Sequence, residues 1–157
     1  MSDTTINDEQ LNQAEENIQE NSDDDTVTSA DPRHQRRIDQ MQLLFARTFD
    51  NGQFKQDQTE PNPNNDVVDA IIEKVPELDE QIQAVAPERP LKDINKIDLA
   101  ILRLIMFESL EKKTPKKVLI NEAVELAKQF GTETSPKFVN GVLGKLLMSQ
   151  QETEGAV

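Results

Sequence analysis

The sequence predicts an all-α protein of five to six helices packed in one domain. Three observations predict it. Apolar residues recur at three- and four-residue steps in segment after segment, the spacing of one helix face. Proline follows a small polar residue at Asp31-Pro32, Thr114-Pro115 and Ser135-Pro136. Such pairs open helices, because the side-chain oxygen accepts bonds from the free first-turn amides while proline lacks only a donor that had no partner there. No strand-like alternation and no tandem repeat interrupts the pattern.

The first helix starts at Asp31-Pro32. Its apolar stripe is Ile38, Met41, Leu44, Phe45 and Thr48/Phe49, and its other side carries Arg33, Arg36, Arg37 and Gln40. Asp50-Asn51-Gly52 ends it. Residues 51–65 are polar, contain Pro61 and Pro63, and read as a loop with at most a weak helical turn. The next helix spans about 65–85 with a stripe of Val68, Ile71, Ile72, Val75, Leu78, Ile82 and Val85. Pro76 removes a donor inside that run, so a kink or a break is expected. After the connector Ala86-Pro87-Glu88-Arg89-Pro90, a helix over about 91–110 is apolar at Ile94, Ile97, Ile101, Leu102, Ile105 and Met106. Its broad apolar arc makes it the central helix. The helix after Thr114-Pro115 buries Val118, Leu119, Ala123, Val124, Ala127 and Phe130, and Gly131 fits a left-handed stop. The last helix, from Ser135-Pro136, buries Phe138, Val139, Val142, Leu143, Leu146 and Leu147.

Charge divides the chain. Residues 1–32 hold ten acids and no Lys or Arg, a net −10; the other 125 residues hold 20 acids and 17 bases, a net −3. One sign of charge with few apolar residues cannot offset chain entropy, so 1–31 is expected to be a disordered acidic tail. The domain is then 32–149, with a frayed polar tail over 150–157. Because the acidity belongs mostly to the tail, it does not exclude a nucleic-acid partner for the body. The absence of cysteine excludes disulfides and thiolate chemistry, and a single histidine, His34, excludes two-histidine metal sites. With no apolar leader and no run approaching the ~18 residues of a membrane span, a cytoplasmic protein without membrane contact is expected.

Several words carry more than a helical pattern. They are Lys96-Ile97-Asp98-Leu99-Ala100-Ile101-Leu102-Arg103-Leu104, Thr114-Pro115, the run Val118 to Lys128, Phe130-Gly131, and the run Lys137 to Leu143. In this order, over about residues 33–147, the chain resembles the NusB transcription antitermination factors. The resemblance implies two packed three-helix bundles, here with the amino-terminal one trimmed because 51–65 is short and polar. It implies binding of boxA, a short single-stranded RNA element of ribosomal-RNA leader transcripts. It also implies pairing with NusE, a small-subunit ribosomal protein, within an RNA polymerase antitermination complex that suppresses termination. No catalysis, cofactor, metal or small-molecule substrate is implied. The acidic tail departs from the family, which usually begins almost at the arginine-rich helix.

Arg33, His34, Arg36 and Arg37 are expected along one exposed side of the first helix, where guanidinium groups can grip phosphates and stack on bases. The pattern alone also fits a solvated face; the resemblance assigns this region to RNA. Lys137, Phe138 and Asn140 open the last helix, in a neighbourhood where the family also meets RNA. Phe138 can stack on a base or sit in the core, and Asn140-Gly141 can instead serve close helix packing. Lys112, Lys113, Lys116 and Lys117 can extend a phosphate track or stay solvated, with Lys112 and Lys113 offsetting a negative helix end. Phe45 stands where the family often has Tyr, near the NusE-facing surface, or is plain core. Asp98 and Glu122 read as helix-dipole or pairing acids against Arg103 and lysines, not as catalytic groups. Two other functions compete with RNA-dependent antitermination: a protein-interaction adaptor with weakened RNA binding, and a NusB-like accessory domain for an rRNA methyltransferase. The tail carboxylates are expected to be inert solubilising charge, or else to fold over Arg33–Arg37 and compete with RNA.

Overall fold

A computed structural model describes residues 31–49 and 62–148. The expectations for the acidic tail before Asp31, for the stop at Asp50-Asn51-Gly52, for a helical turn within 51–61 and for the carboxyl-terminal tail lie outside these residues. The described elements are α1 (Pro32–Phe49), α2 (Asn65–Val85), a 3-10 turn (Leu91–Asp93), α3 (Lys96–Leu110), α4 (Lys116–Phe130), α5 (Ser135–Leu143) and a terminal π-helical turn (Gly144–Met148).

The protein is all-α, as its apolar spacing predicts. Helix α3 is the axis of the fold. It packs against α1 and α2 on one side and against α4 and α5 on the other, so two helical triads share it. That role follows from its composition. Leu99, Ala100, Ile101, Leu102, Leu104, Ile105 and Met106 are all buried, covering most of its circumference. Burying each large aliphatic side chain contributes about 1.5–3 kcal/mol, so this one helix supplies much of the hydrophobic stabilisation.

The ends of the elements differ from expectation in physically informative ways. Asp31 does cap α1: its Oδ1 accepts from the Arg33 amide at 2.9 Å. Helix α2 runs unbroken through Pro76. The proline is exposed, so the Ile72 carbonyl that loses its amide partner there lies toward the solvent side, and the stripe of Val68, Ile71, Leu78 and Ile82 stays buried on the other side. Leu91 does not begin the central helix. A 3-10 turn intervenes, and Asn95 caps α3 by accepting from the Ile97 amide at 2.8 Å. Thr114 makes no cap bond at the start of α4. Val118 and Phe49, expected in buried stripes, are exposed.

Gly131 is needed, but not for a left-handed turn. Its φ is −91° and its backbone extended. A Cβ there would lie 2.5 Å from the Ser135 side chain and 2.8 Å from the Ala127 carbonyl oxygen. Ser135 is fully buried, and its Oγ accepts from the Thr132 amide at 2.9 Å, which locks the turn between α4 and α5. The glycine therefore permits close approach, not unusual dihedrals. Gly131→Ala is expected to destabilise the protein by about 2 kcal/mol through overpacking, measured by urea unfolding. A loss below about 0.5 kcal/mol would show that the turn can open to accept a methyl group.

Candidate nucleic-acid interface

Helix α1 sorts its own cations by phase. Its buried positions are His34, Arg37, Gln40, Met41 and Leu44, so the stripe that begins at Leu44 and Met41 continues backwards by seven residues onto polar side chains. The single exposed face expected for Arg33, His34, Arg36 and Arg37 is thus corrected. Arg33 and Arg36 are exposed; His34 and Arg37 are 1% and 7% exposed.

The two buried groups are held by carboxylates. Arg37 Nε donates to Glu108 Oε2 at 2.9 Å and its Nη2 to Glu108 Oε1 at 2.6 Å, a two-pronged grip on the end of α3. Its Nη1 lies 3.5 Å from Glu122 of α4. His34 Nδ1 donates to Glu122 Oε2 at 2.9 Å, and its Nε2 lies 3.3 Å from the Gln129 side-chain oxygen. The hydrogen bond to Glu108 is the main cause holding the Arg37 pKa above its ordinary value, and the charges of Glu108, Glu122 and Asp31 add to it against the cost of burial. Glu122 therefore belongs to this network, and not to lysines. Arg103 pairs with neither Glu122 nor Asp98. It forms a two-bond bridge to Asp79 at 2.8 Å each, tying α3 to α2.

Arg33 and Arg36 remain on the rim of a cleft of about 580 Å³ between α1 and the α3–α4 turn. Asp31, Glu111, Lys113 and Val118 also line it, with the Arg37–Glu108 pair in its wall. Among the described residues, no carboxylate comes within 4 Å of the side-chain nitrogens of Arg33, Arg36 or Lys113. Lys112, Lys113 and Lys117 are exposed and Lys116 half-buried. Lys112 holds φ at 58°, a left-handed position that closes α3.

A second group gathers at the start of α5. Phe138 is half-buried against the core, and the Arg89 guanidinium carbon lies 4.5 Å from its ring centroid. Lys137 and Asn140 are exposed. Gly141 is exposed as well, and nothing lies within 4 Å of a Cβ added there, so the helix-packing alternative for Asn140-Gly141 does not hold. Arg89 went unnoticed in the sequence, where it is one residue of a proline-bounded connector. Gln83 shapes that connector: its Nε2 donates to the Ala86 and Arg89 carbonyls and its Oε1 accepts from the Leu91 amide. Asp98, also buried, lies beneath this group. Burial raises its pKa, against the opposing effects of the Ser135 hydroxyl and the Arg89 charge, and its Oδ1 has no partner.

Phe45, half-buried at the far end of α1, packs its ring 5.3 Å from that of exposed Phe49. Beside it, Arg47, Thr48, Pro76, Asp79 and Arg103 border a second cleft. Among the described residues no group of three or more His, Asp or Glu side chains is placed to hold a metal ion, and no helix is long and apolar enough to cross a membrane.

This combination defines a class: a helical domain of two triads on a shared axis, with arginines released onto a cleft. The profile of the NusB family matches residues 2–148, and the chain belongs to that family. It is 38% identical over 124 residues to the transcription antitermination protein NusB of Campylobacter curvus, covering 73% of this chain and 95% of that protein. It is 34% identical over 119 residues to that of Geobacter sulfurreducens, covering 68% and 86%. Identity reaches 50% over 78 residues with the Roseiflexus proteins of that name, where the match spans only 55% of their length and 48% of this chain. A solved structure of Thermotoga maritima NusB superimposes with a TM-score of 0.63 at 28% identity, covering 79% of this chain and 98% of that one.

Two outcomes test this geometry. Glu122→Ala strands a buried imidazole and part of a buried guanidinium, so it should cost about 3 kcal/mol in urea unfolding, whereas Arg36→Ala should change stability by less than about 0.5 kcal/mol. Equal effects would deny the division of the helix face. Asp98 adds a pH dependence. Its folded pKa is raised, so its protonated form favours folding; that contribution is present below the ordinary carboxylate pKa and lost as pH rises through the folded value. Asp98→Asn should therefore gain stability relative to wild type as pH rises from the ordinary carboxylate pKa of about 4 toward neutrality in thermal melts. A difference that stays constant across that range would rule out the buried carboxylate as its source.

Proposed function

We propose that this chain is a transcription antitermination factor that binds boxA-type single-stranded RNA of ribosomal-RNA leader transcripts. It does so together with NusE, as part of a complex that suppresses termination by RNA polymerase. Family membership supports the class. The observation that carries the RNA half is the release of Arg33 and Arg36: pairing pins Arg37 to Glu108 and leaves these two guanidiniums open at a cleft.

The mechanism has no chemical step. Arg33 and Arg36, with Lys113 across the cleft, take phosphates by charge-assisted hydrogen bonds. Lys112, Lys116 and Lys117 extend the favourable potential around the turn. Lys137 and Asn140 offer a second set of contacts at α5. Phe138 serves base stacking there if the Arg89 guanidinium yields its place or itself stacks on the base, a contribution of about 1–3 kcal/mol. His34 and Arg37 act indirectly in this reading, by fixing the phase of α1. Phe45, with Phe49, faces NusE; that protein's docking raises RNA affinity by adding contacts to a weak binary complex.

A boxA-like RNA should bind weakly to the protein alone and more tightly with NusE present. With about three phosphates neutralised, log affinity should fall against log salt with a slope of about −2. The Arg33→Ala/Arg36→Ala variant, folded because both side chains are exposed, should lose about tenfold in affinity or more and flatten that slope by about 1. Wild-type affinity and slope in the double variant would sink the assignment of these arginines to RNA.

A further inference from the structure

We propose that the cleft behind Arg33 and Arg36 is a nucleobase pocket. It takes one base of a single-stranded RNA, inserted edge-first against apolar side chains, while the arginines at its mouth hold the phosphate of that nucleotide. The pocket stands on the lining of the cleft, and the identity of the strand rests on the RNA reading above.

The apolar lining comes first. At about 580 Å³ the cleft has the size of a small-ligand site. Leu104, 1% exposed, is the most buried of its apolar walls. Val67 from α2, Phe107 from α3 and Val118 from α4 stand around it. Val67 and Phe107 are half-buried and Val118 is 44% exposed, so each still offers apolar surface to an occupant.

The polar lining comes second, and its balance decides the class of ligand. Four cationic and four acidic side chains line the cleft. Arg37, Glu108 and Glu122 are bound to one another, and Asp31 accepts from the Arg33 amide. Glu111 has no cation within 4 Å among the described residues. Gln40, 8% exposed, donates through Nε2 to Asn64 Oδ1 at 3.2 Å, while its carbonyl oxygen accepts no bond from the described residues. A polyanion would meet as many acids as bases here, and a hydrocarbon would strand both. A nucleobase fits, because its faces are apolar and its edge carries donors beside acceptors. Gln40 and Glu111 add acceptors, which favour adenine, cytosine or guanine with their exocyclic amino groups over uracil. Arg33 and Arg36 are exposed at the mouth, where the attached phosphate would lie.

Val118→Phe fills the cleft from an exposed position and leaves the arginines and the core untouched. In the full chain it should weaken a boxA-like RNA by about tenfold, and removing one particular base from that RNA should cost wild type about as much. The same abasic RNA should cost Val118→Phe less than about twofold, because the pocket it lacks is already closed. Wild-type affinity in Val118→Phe overturns the pocket; if Arg33→Ala/Arg36→Ala still loses RNA, the RNA reading survives without it. A second measurement needs no RNA. Adenosine, cytidine and guanosine monophosphates should move the methyl NMR signals of Val67 and Leu104, with uridine monophosphate at least about fivefold weaker and ribose 5-phosphate without effect. Equal shifts from ribose 5-phosphate overturn the proposal by assigning the cleft to phosphate alone. If wild type binds no RNA but the three nucleotides move these methyl signals, the pocket stands and the RNA reading alone fails.

Discussion

The fold depends on a buried ionic brace. Arg37 and His34 from α1 meet Glu108 at the end of α3 and Glu122 in α4, so three helices of the two triads converge on one set of charges. Removing ions from water costs several kcal/mol each, and attraction repays this only when geometry is good and the remaining donors are met. Here the guanidinium is gripped by two bonds, and Glu122 serves both the imidazole and Arg37. An apolar set of the same volume could stabilise the site as well. It would not dictate which face of α1 turns inward, because any greasy stripe slides. The brace does: it permits one rotation of the helix, and that rotation puts Arg33 and Arg36 outside.

The same constraint explains what the sequence disclosed and what it hid. Helix order, the central place of α3 and the core stripes were legible, because burying apolar side chains at helical spacing has few solutions. The polarity of the α1 stripe was not, since a search for apolar residues stops at Met41. Extending the period was the available signal: counting back seven from Leu44 and Met41 lands on Arg37 and His34, and acids elsewhere were candidates to meet them. Which acids, however, is a tertiary fact, with Glu108 and Glu122 seventy and more residues away. Gly131 shows a similar limit. The sequence says a glycine ends the helix, but only packing against Ser135 says that space, not dihedral freedom, is what it supplies. Pro76 does not break α2, and it stands on the solvent face of that helix, a position that only the packed structure defines.

The second cluster shows order imposed at a distance. Arg89 has no helix to hold it. Gln83, in the last turn of α2, satisfies the Ala86 and Arg89 carbonyls of the connector and the Leu91 amide just after it, and so fixes the stretch that carries Arg89 over Phe138. A cation on one ring face blocks that face to a base yet offers a flat, mobile surrogate for it. Beneath lies Asp98 with an unpartnered oxygen, an energetic debt of the kind structural cores rarely keep. Together they set a cation, an aromatic face and an unpartnered carboxylate oxygen side by side at the start of α5.

Net charge is a poor guide to a molecule built this way. The chain is formally −13, and its cleft wall contains as many acids as bases. What an approaching anion meets depends on which charges are already spent. Arg37 is held between Glu108 and Glu122, with His34 beside Glu122, Asp31 turns its oxygen to the Arg33 amide of α1, and Arg103 is paired with Asp79. The unspent charges at the rim are cationic in majority, although the whole is acidic. Pairing thus decides which cations an approaching anion can reach, and it does so through the same bonds that hold the two triads together.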